Sequence, residues 1–215
     1  MIPVPSGSRA TAGSADLTAK ARIRNAALAL YADNGEDGTS MRAIAEAADV
    51  TVGLVVHHYR TKDGLRDALE RRIVEFFADA ITQAPDGRSA REVAIARDAA
   101  VARMLEENPA VVNYLRRAVL DPTGGRSHIL EMLADFTAEQ VAALRTAGLA
   151  STAHRDTSQV IGVLVRQLGH LFLQPMIDST WTRLAPDAPL EEKPQLVIRV
   201  LDPEASGMTQ ARHEI

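Results

Sequence analysis

Apolar residues at helical spacing are the feature of this sequence that most restricts its fold. Ile23, Ala26, Ala27, Leu30 and Tyr31 lie about one helical turn apart, so they share one face of a helix. Similar patterns fill most of the chain, and no stretch alternates apolar and polar residues as a strand would. Aromatic residues make up only 4% of the composition, which favours helices packed through small side chains. The sequence therefore predicts an all-α protein.

Capping residues and chain breakers divide this pattern into nine predicted helices. Asp16 or Thr18 begins the first helix, and Gly35 ends it. The predicted helices cover about 16–34, 40–48, 51–58, 61–84, 89–107, 109–120, 126–147, 155–178 and 191–201. Residues 1–15 are rich in Pro, Gly, Ser and Ala and predict a disordered tail, and residues 204–215 predict a frayed one.

Charge and composition exclude several classes of site. The net charge is −4, with +1 in residues 1–72 and −5 in the rest, so only the N-terminal part suits contact with phosphates. The chain has no Cys, and its six His residues have no partners at metal-ligand spacing, so we expect no metal and no cofactor. It shows no signal-peptide core and no apolar run of ~18 residues, which predicts a cytoplasmic protein without a membrane span.

Residues 41–58 have the spacing of a helix-turn-helix. Its apolar positions are Ile44, Ala45, Ala48, Val50 and Val55, with small Ala45 where the two helices would cross closely. The second helix is only about two turns long, too short to bury much of itself. Such a helix is well suited to lying in the major groove of DNA.

A longer match surrounds this motif. The segment "AALALYADNGEDG" followed by "TSMRAIAEAADVTVGLVVHHYRTKDGL" resembles the N-terminal domain of the TetR family of bacterial transcriptional regulators, over about residues 18–66. The resemblance implies a three-helix DNA-binding domain at 16–60, joined by the fourth helix to a helical domain at 61–203. The second domain would form a homodimer and bind a small-molecule effector. The other implied partner is a double-stranded DNA operator.

The same resemblance implies roles for individual residues. Phosphate contacts are expected from Thr39, Ser40, Arg42, Thr51 and Lys62, and His57 stands at a position that contacts DNA in the family. Val52, Gly53 and Leu54 would face the base edges.

Here the sequence departs from the family pattern. The family commonly has Lys or Arg at the position of Val52, Ser or Thr at Leu54, Tyr at Val56 and Gly at Asp49. Val52 and Leu54 cannot form hydrogen bonds, but they can pack on the C5-methyl group of thymine. We therefore expect thymines in each half-site. The alternatives are that one of these side chains packs internally, or that the domain no longer binds DNA.

The predicted helix at 155–178 is apolar nearly all round and should be buried on more than one side. Gly162, Val165, Gly169 and Phe172 form a stripe that predicts the dimer contact, with 191–201 completing a four-helix bundle; purely internal packing is the alternative. Candidates for the effector pocket are apolar residues with a few polar ones among them. They are Met104, Tyr114, Arg117, His128, Met132, Phe136, Arg166, Gln167, His170 and Gln174. Each could instead be hydrogen-bonded in the core or exposed at a helix edge.

The resulting functional prediction is a ligand-responsive repressor that binds a palindromic operator as a dimer and is released by its effector. An activator with the same fold, and a helical small-molecule-binding protein that no longer binds DNA, are the alternatives. The sequence shows no nucleophile elbow, phosphate-binding glycine loop or paired catalytic carboxylates, so we expect no enzymatic activity.

Overall fold

The computed structural model describes residues 8–87, 89–120 and 127–201. These residues form eight α-helices and no strand, which confirms the predicted fold class. The predicted tail at 204–215 and the first seven residues lie outside the described residues. The helices are α1 (Ser8–Asn34), α2 (Met41–Ala47), α3 (Val52–Tyr59), α4 (Lys62–Gln83), α5 (Ala90–Glu107), α6 (Pro109–Leu120), α7 (Ile129–Thr146) and α8 (Asp156–Leu184).

The first helix begins earlier than the sequence predicts. It starts at Ser8, whereas residues 8–15 were assigned to a disordered tail. The prolines of the tail, Pro3 and Pro5, both precede this helix, and residues 8–15 contain three alanines, which have the highest helix propensity. Adding turns to an existing helix also avoids the cost of nucleating a new one.

The chain divides into two compact units. The first comprises the chain up to Ala80 together with Ala102–Ile129, and the second comprises Ile81–Val101 and the chain from Leu130 onward. α6 belongs to the first unit because it packs against α1, which also packs against α2 and α3. Packing therefore divides the chain differently from the predicted boundary between residues 60 and 61.

The first unit has an apolar core that all its early helices share. In α1 the buried side chains recur every fourth residue, at Ala19, Ile23, Ala27 and Tyr31. The other helices contribute Ile44, Ala45, Ala48, Val55, Leu65, Leu69, Ile73, Val111 and Leu115. Of the apolar positions predicted for the helix-turn-helix, Ile44, Ala45, Ala48 and Val55 are buried, and Val50 is half-buried.

In the second unit, α8 runs six residues past its predicted end, to Leu184, with Pro175 inside it. Among the described helices it alone is long and apolar enough to cross a membrane, by length and composition. None of its residues is fully buried, and Ile161, Val165, Leu173 and Met176 are exposed. Helices that pack against a partner subunit have the same composition.

The predicted last helix at 191–201 is wrong. The chain forms a short 3-10 turn at Leu190–Glu192, and residues 193–201 are not helical. Pro194 and the β-branched residues Val197, Ile198 and Val200 disfavour a helix there. A four-helix bundle that includes 191–201 is therefore not the arrangement in this structure.

This segment instead lies on α8 of its own chain. The Lys193 ammonium donates to the Asp178 carboxylate at 2.8 Å, and this bond, with one from Gln174, lowers the pKa of Asp178. Ile198 packs directly against Gly169, where a Cβ atom would collide with its side chain. Gly169 therefore accommodates Ile198 of the same chain, and its place in a dimer contact stays a prediction.

We expect Gly169→Ala to displace Ile198 and loosen residues 194–201 from α8, because the added methyl group occupies the position of the Ile198 side chain. Gly162→Ala is the matched control. Within the described residues, a Cβ at Gly162 meets no heavy atom within 4 Å. Hydrogen exchange should therefore accelerate over 194–201 in the first variant alone. Equal exchange in both variants would contradict this packing.

Candidate DNA interface

Two capping residues define the helix-turn-helix. The hydroxyl of Ser40 accepts a hydrogen bond from the Ala43 amide at 3.1 Å and begins α2. The hydroxyl of Thr51 accepts one from the Leu54 amide at 3.2 Å and begins α3. Each cap satisfies a backbone donor that the first turn of a helix leaves unpaired.

One face of α3 is anchored in the first unit. Val55 and Tyr59, four residues apart, are both buried. The Tyr59 hydroxyl donates to the Lys20 carbonyl of α1 at 2.7 Å. Burial raises the pKa of Tyr59, so its hydroxyl stays protonated as a donor. This anchor fixes which side of α3 faces away from the protein.

The outward face of α3 is largely apolar. Val52 is 41% exposed and Val56 is 46% exposed, and Gly53 and His57 are exposed beside them. Leu54 is half-buried, so only part of it is available to a partner. Val56 was not among the predicted contact residues, although its spacing of four from Val52 places both on one side of the helix.

The residues predicted to contact phosphate differ in their exposure to solvent. Ser40, Arg42 and Thr51 are exposed, and Lys62 is half-buried at the start of α4. Thr39 is only 3% exposed, and its hydroxyl donates to the carbonyl oxygens of Gly35 (2.8 Å) and Leu30 (3.3 Å). Its amide donates to the Glu36 carbonyl. These donors close the turn between α1 and α2, and a phosphate contact of Thr39 stays a prediction.

The turn between α2 and α3 contains a residue in the left-handed region. Asp49 has φ 52°, as its place at the family's usual glycine position predicts. Arg22 lies 3.8 Å from its carboxylate, but Asp49 is fully exposed and this ion pair contributes little. Asp tolerates this backbone conformation better than most residues do.

Comparison with known proteins agrees with this geometry. Residues 23–69 match the family model for bacterial regulatory proteins of the tetR family. The transcriptional regulatory protein RaaS of Mycobacterium tuberculosis is 52% identical over 62 residues, which are 29% of each chain. The transcriptional repressor KstR of Rhodococcus jostii is 31% identical over 118 residues, 52% of this chain and 55% of KstR. Residues 23–69 are thus similar to the DNA-binding part of tetR family regulators.

These matches span less than two thirds of either relative, whereas solved structures cover more of the fold. A tetR family transcription regulator from Shewanella sp. PV-4 superposes with a TM-score of 0.63 at 22% identity, over 78% of this chain and 90% of that one. A gamma-butyrolactone receptor superposes with a TM-score of 0.52 at 19% identity, over 83% and 92%. At these identities the superpositions show a shared fold.

Two buried charged residues of α4 were missed by sequence reasoning. Arg66 is 5% exposed and pairs with Glu36 (3.3 Å), Asp63 (2.9 Å) and Asp67 (3.5 Å). Burial opposes its charge, but Glu36 and the two aspartates outweigh that effect and raise its pKa. Arg66 directly follows the buried Leu65 on α4. An arginine at such a position is ordinarily exposed to solvent, so the local sequence does not indicate that Arg66 is buried.

Glu70, one turn further along α4, is fully buried. It accepts hydrogen bonds from the Tyr114 hydroxyl (2.6 Å), the Ser127 hydroxyl (2.8 Å) and the His128 amide (3.1 Å). Burial, and then the nearby Glu70 carboxylate, raise the pKa of Tyr114, so the tyrosine is a neutral donor. These three neutral donors offset the cost of burying the Glu70 carboxylate.

The predicted pocket residues fall into both compact units. Met104, Tyr114, Arg117 and His128 belong to the first unit, where Met104 and Tyr114 are buried. The second unit holds Met132, Phe136, Arg166, Gln167, His170 and Gln174, all half-buried.

Several of these side chains already bond within the protein. Arg166 and Gln167 both donate to Asp98, at 3.0 and 2.6 Å, and Gln174 donates to Asp178 at 2.9 Å. These bonds agree with the alternative of internal partners, and the pocket itself stays a prediction.

We expect Asp49→Ala to be less stable than Asp49→Gly by about 1–2 kcal/mol, because a left-handed backbone costs alanine roughly that much and glycine almost nothing. Both variants remove the same carboxylate and the same weak pair with Arg22, so each controls for the other. Urea unfolding of the full chain measures the difference. Coincident transitions would mean that Asp49 carries no backbone strain.

Proposed function

We propose that the protein is a cytoplasmic, dimeric repressor that binds a palindromic DNA operator and is released by a small-molecule effector. The observation that carries the proposal is the outward presentation of α3. Val55 and Tyr59 anchor one side of the helix, and this leaves Val52, Val56 and His57 exposed on the other. A short helix displayed in this way has the dimensions to enter a major groove. The likeness to the repressor KstR favours repression over activation.

Affinity in this proposal comes mainly from the DNA backbone. Ser40, Arg42 and Thr51 are exposed around the start of the two helices, with Lys62 nearby in sequence at the start of α4. Hydroxyl, guanidinium and ammonium groups are the usual donors to phosphate oxygens. Neutralising phosphates releases bound counterions, so the affinity should fall steeply as salt increases.

Specificity comes from apolar contact. The exposed Val52 and the half-buried Leu54 offer no hydrogen bond to a base edge. The C5-methyl of thymine is the one apolar group in the major groove. Gly53 is exposed between them, and a Cβ there would have only the Thr51 hydroxyl near it, at 3.9 Å. The backbone of α3 can therefore approach the bases closely.

A gel shift with the DNA upstream of the protein's own gene tests the proposal. A specific complex that weakens steeply with salt supports it. A protein that binds no sequence in that region more tightly than random DNA, at low salt, would be a helical binding protein without operator function.

Replacing thymine by uracil in the operator should locate the methyl contacts. Losing one buried methyl group costs about 0.8 kcal/mol, so we expect roughly 4-fold weaker binding at a contacted thymine. In Val52→Ala the same DNA change should have a smaller effect, because the side chain that meets the methyl is truncated. Val197→Ala, at another exposed valine, is the control. The contact is refuted if no thymine in the half-site responds.

The dimer in this proposal uses the exposed side of α8. Ile161, Val165 and Met176 are exposed, and with the half-buried Phe172 they lie along one stripe of the helix. Gly162 lies next to this stripe with open space above it. A two-fold dimer presents two copies of α3 to the two halves of a palindrome.

We expect Val165→Glu to abolish or strongly weaken dimerisation, because the interface would bury an unpaired charge. The side chain is 41% exposed in the single chain, so the variant should still fold. Ile95→Glu, at an exposed apolar residue of α5, is the control. Sedimentation velocity distinguishes the two states. A fully dimeric Val165→Glu protein would place the interface elsewhere.

The proposal of a small-molecule effector is based on similarity of fold. A gamma-butyrolactone receptor has a similar fold, which supports a small-molecule effector in our proposal. In our proposal an effector changes the separation of the two α3 helices by moving α4. Affinity for the operator then falls, because the half-sites are a fixed number of base pairs apart.

A further inference from the structure

Helix α6 holds two other helices through side chains that lie one turn apart. The Tyr114 hydroxyl donates to Glu70 of α4 at 2.6 Å. The Arg117 guanidinium donates to the carbonyl oxygens of Ala32 and Asp33 at the end of α1, at 2.7 and 2.5 Å. All of these residues belong to the first compact unit. The spacing of three residues places both side chains on the same face of α6.

Arg117 acts as a cap on α1. The last carbonyls of a helix have no partner within it, and a cation there also interacts favourably with the helix dipole. A Cβ atom on Gly35, the left-handed residue that follows α1, would lie only 3.8 Å from a terminal nitrogen of Arg117. The guanidinium therefore fixes the point at which the chain leaves α1.

The same turn is also held from α4. Glu36, one residue after Gly35, accepts from the buried Arg66 at 3.3 Å. Arg66 and Glu70 lie one turn apart on α4. Three links follow from these contacts. Tyr114 and Glu70 connect α6 to α4, and Arg66 and Glu36 connect α4 to the turn after α1. Arg117 connects the end of α1, just before that turn, back to α6. We call these five residues the polar ring.

The turn leads directly into the helix-turn-helix. The Thr39 hydroxyl donates to the Gly35 carbonyl at 2.8 Å, and its amide donates to the Glu36 carbonyl at 3.0 Å. The next residue, Ser40, caps α2. Because the turn is short and bonded within itself, a displacement at Gly35 and Glu36 must be carried into the start of α2.

We propose that Arg117 is a positioning residue for DNA binding, and that the polar ring carries a movement of α6 to the start of α2. This inference rests on the proposed function. Arg117 was predicted from sequence to line the effector pocket, but its guanidinium is engaged with the backbone of α1. It therefore acts by setting the position of α2 and α3, without contact with either DNA or effector.

The test compares Arg117→Met with Arg103→Met in the full chain. Both changes remove one positive charge, and Arg103 is exposed on α5. Hydrogen exchange is followed at the amides of Gly35, Thr39 and Ala43, whose acceptors all lie in or next to the turn. Operator affinity is measured as a function of salt concentration. Arg117→Lys, which can keep one hydrogen bond to α1, serves as a milder second variant.

We expect Arg117→Met to accelerate exchange at these three amides and to weaken operator binding by about 2- to 30-fold, the range for residues that act through others. The salt dependence should keep its slope, because no phosphate contact is lost. Arg117→Lys should be intermediate, and Arg103→Met should match the unaltered protein. Amides of α8 should exchange normally, which separates a local change from general unfolding.

Two results would overturn the inference. Unchanged exchange at Gly35, Thr39 and Ala43 would show that Arg117 does not hold the turn. A salt slope reduced by about one would show that Arg117 itself contacts a phosphate. If the unaltered protein binds no operator, the proposed function fails, but the exchange measurement still decides whether Arg117 fixes the turn.

Discussion

The hydrogen bond from Tyr59 to the Lys20 carbonyl, together with the burial of Val55, determines which side of α3 the first unit presents. α3 has eight residues, and a helix of that length is not stable alone in water. It exists because Thr51 caps it and two of its side chains are fixed against the first unit. Had the anchor lain one residue away, the helix would be rotated by about 100° and would present a different set of side chains. The outward direction of Val52 and Val56 is thus a consequence of what is buried behind them.

The charged residues of α4 show that this unit is not held by apolar packing alone. Removing one partner from a buried, hydrogen-bonded charge leaves the other unsatisfied, which costs more than the bond contributes. Such groups therefore specify one arrangement of helices, because alternatives leave Arg66 or Glu70 without partners. An apolar core tolerates small rotations of its helices. The hydrogen bonds from Tyr114 and Arg117 tolerate less, because a rotation that moves donor and acceptor out of hydrogen-bond range breaks them. This difference explains how the helices of one unit can be held in fixed positions relative to one another.

What the sequence could predict follows from how local each signal is. Helical periodicity, the caps at Ser40 and Thr51 and the left-handed backbone of Asp49 depend on a few neighbouring residues, so a local pattern can indicate them. The partners of Glu70 are 44 to 58 residues away, so no local pattern could identify them. Gly169 was read as a contact for a partner helix, since sequence shows that a glycine admits close approach but not which residue approaches. The last helix failed because its apolar spacing fits a helix, while its β-branched residues and Pro194 do not.

The apolar recognition surface and the polar ring can be understood together. Under the proposed function, α3 reads the operator through van der Waals contact of Val52 and Leu54 with thymine methyl groups. Dispersion attraction is short-ranged, and a radial gap of about 0.5–1 Å already forfeits a quarter to a half of it. Such a surface needs firm support to bind, and a small shift of that support suffices to release it. The bonds from α4 and α6 to the turn and to the end of α1 provide the firm support. A movement of α6 would provide the small shift that releases the contacts. A recognition helix rich in long, flexible polar side chains could follow such a shift and keep its contacts, so apolar readout and a rigid support favour each other.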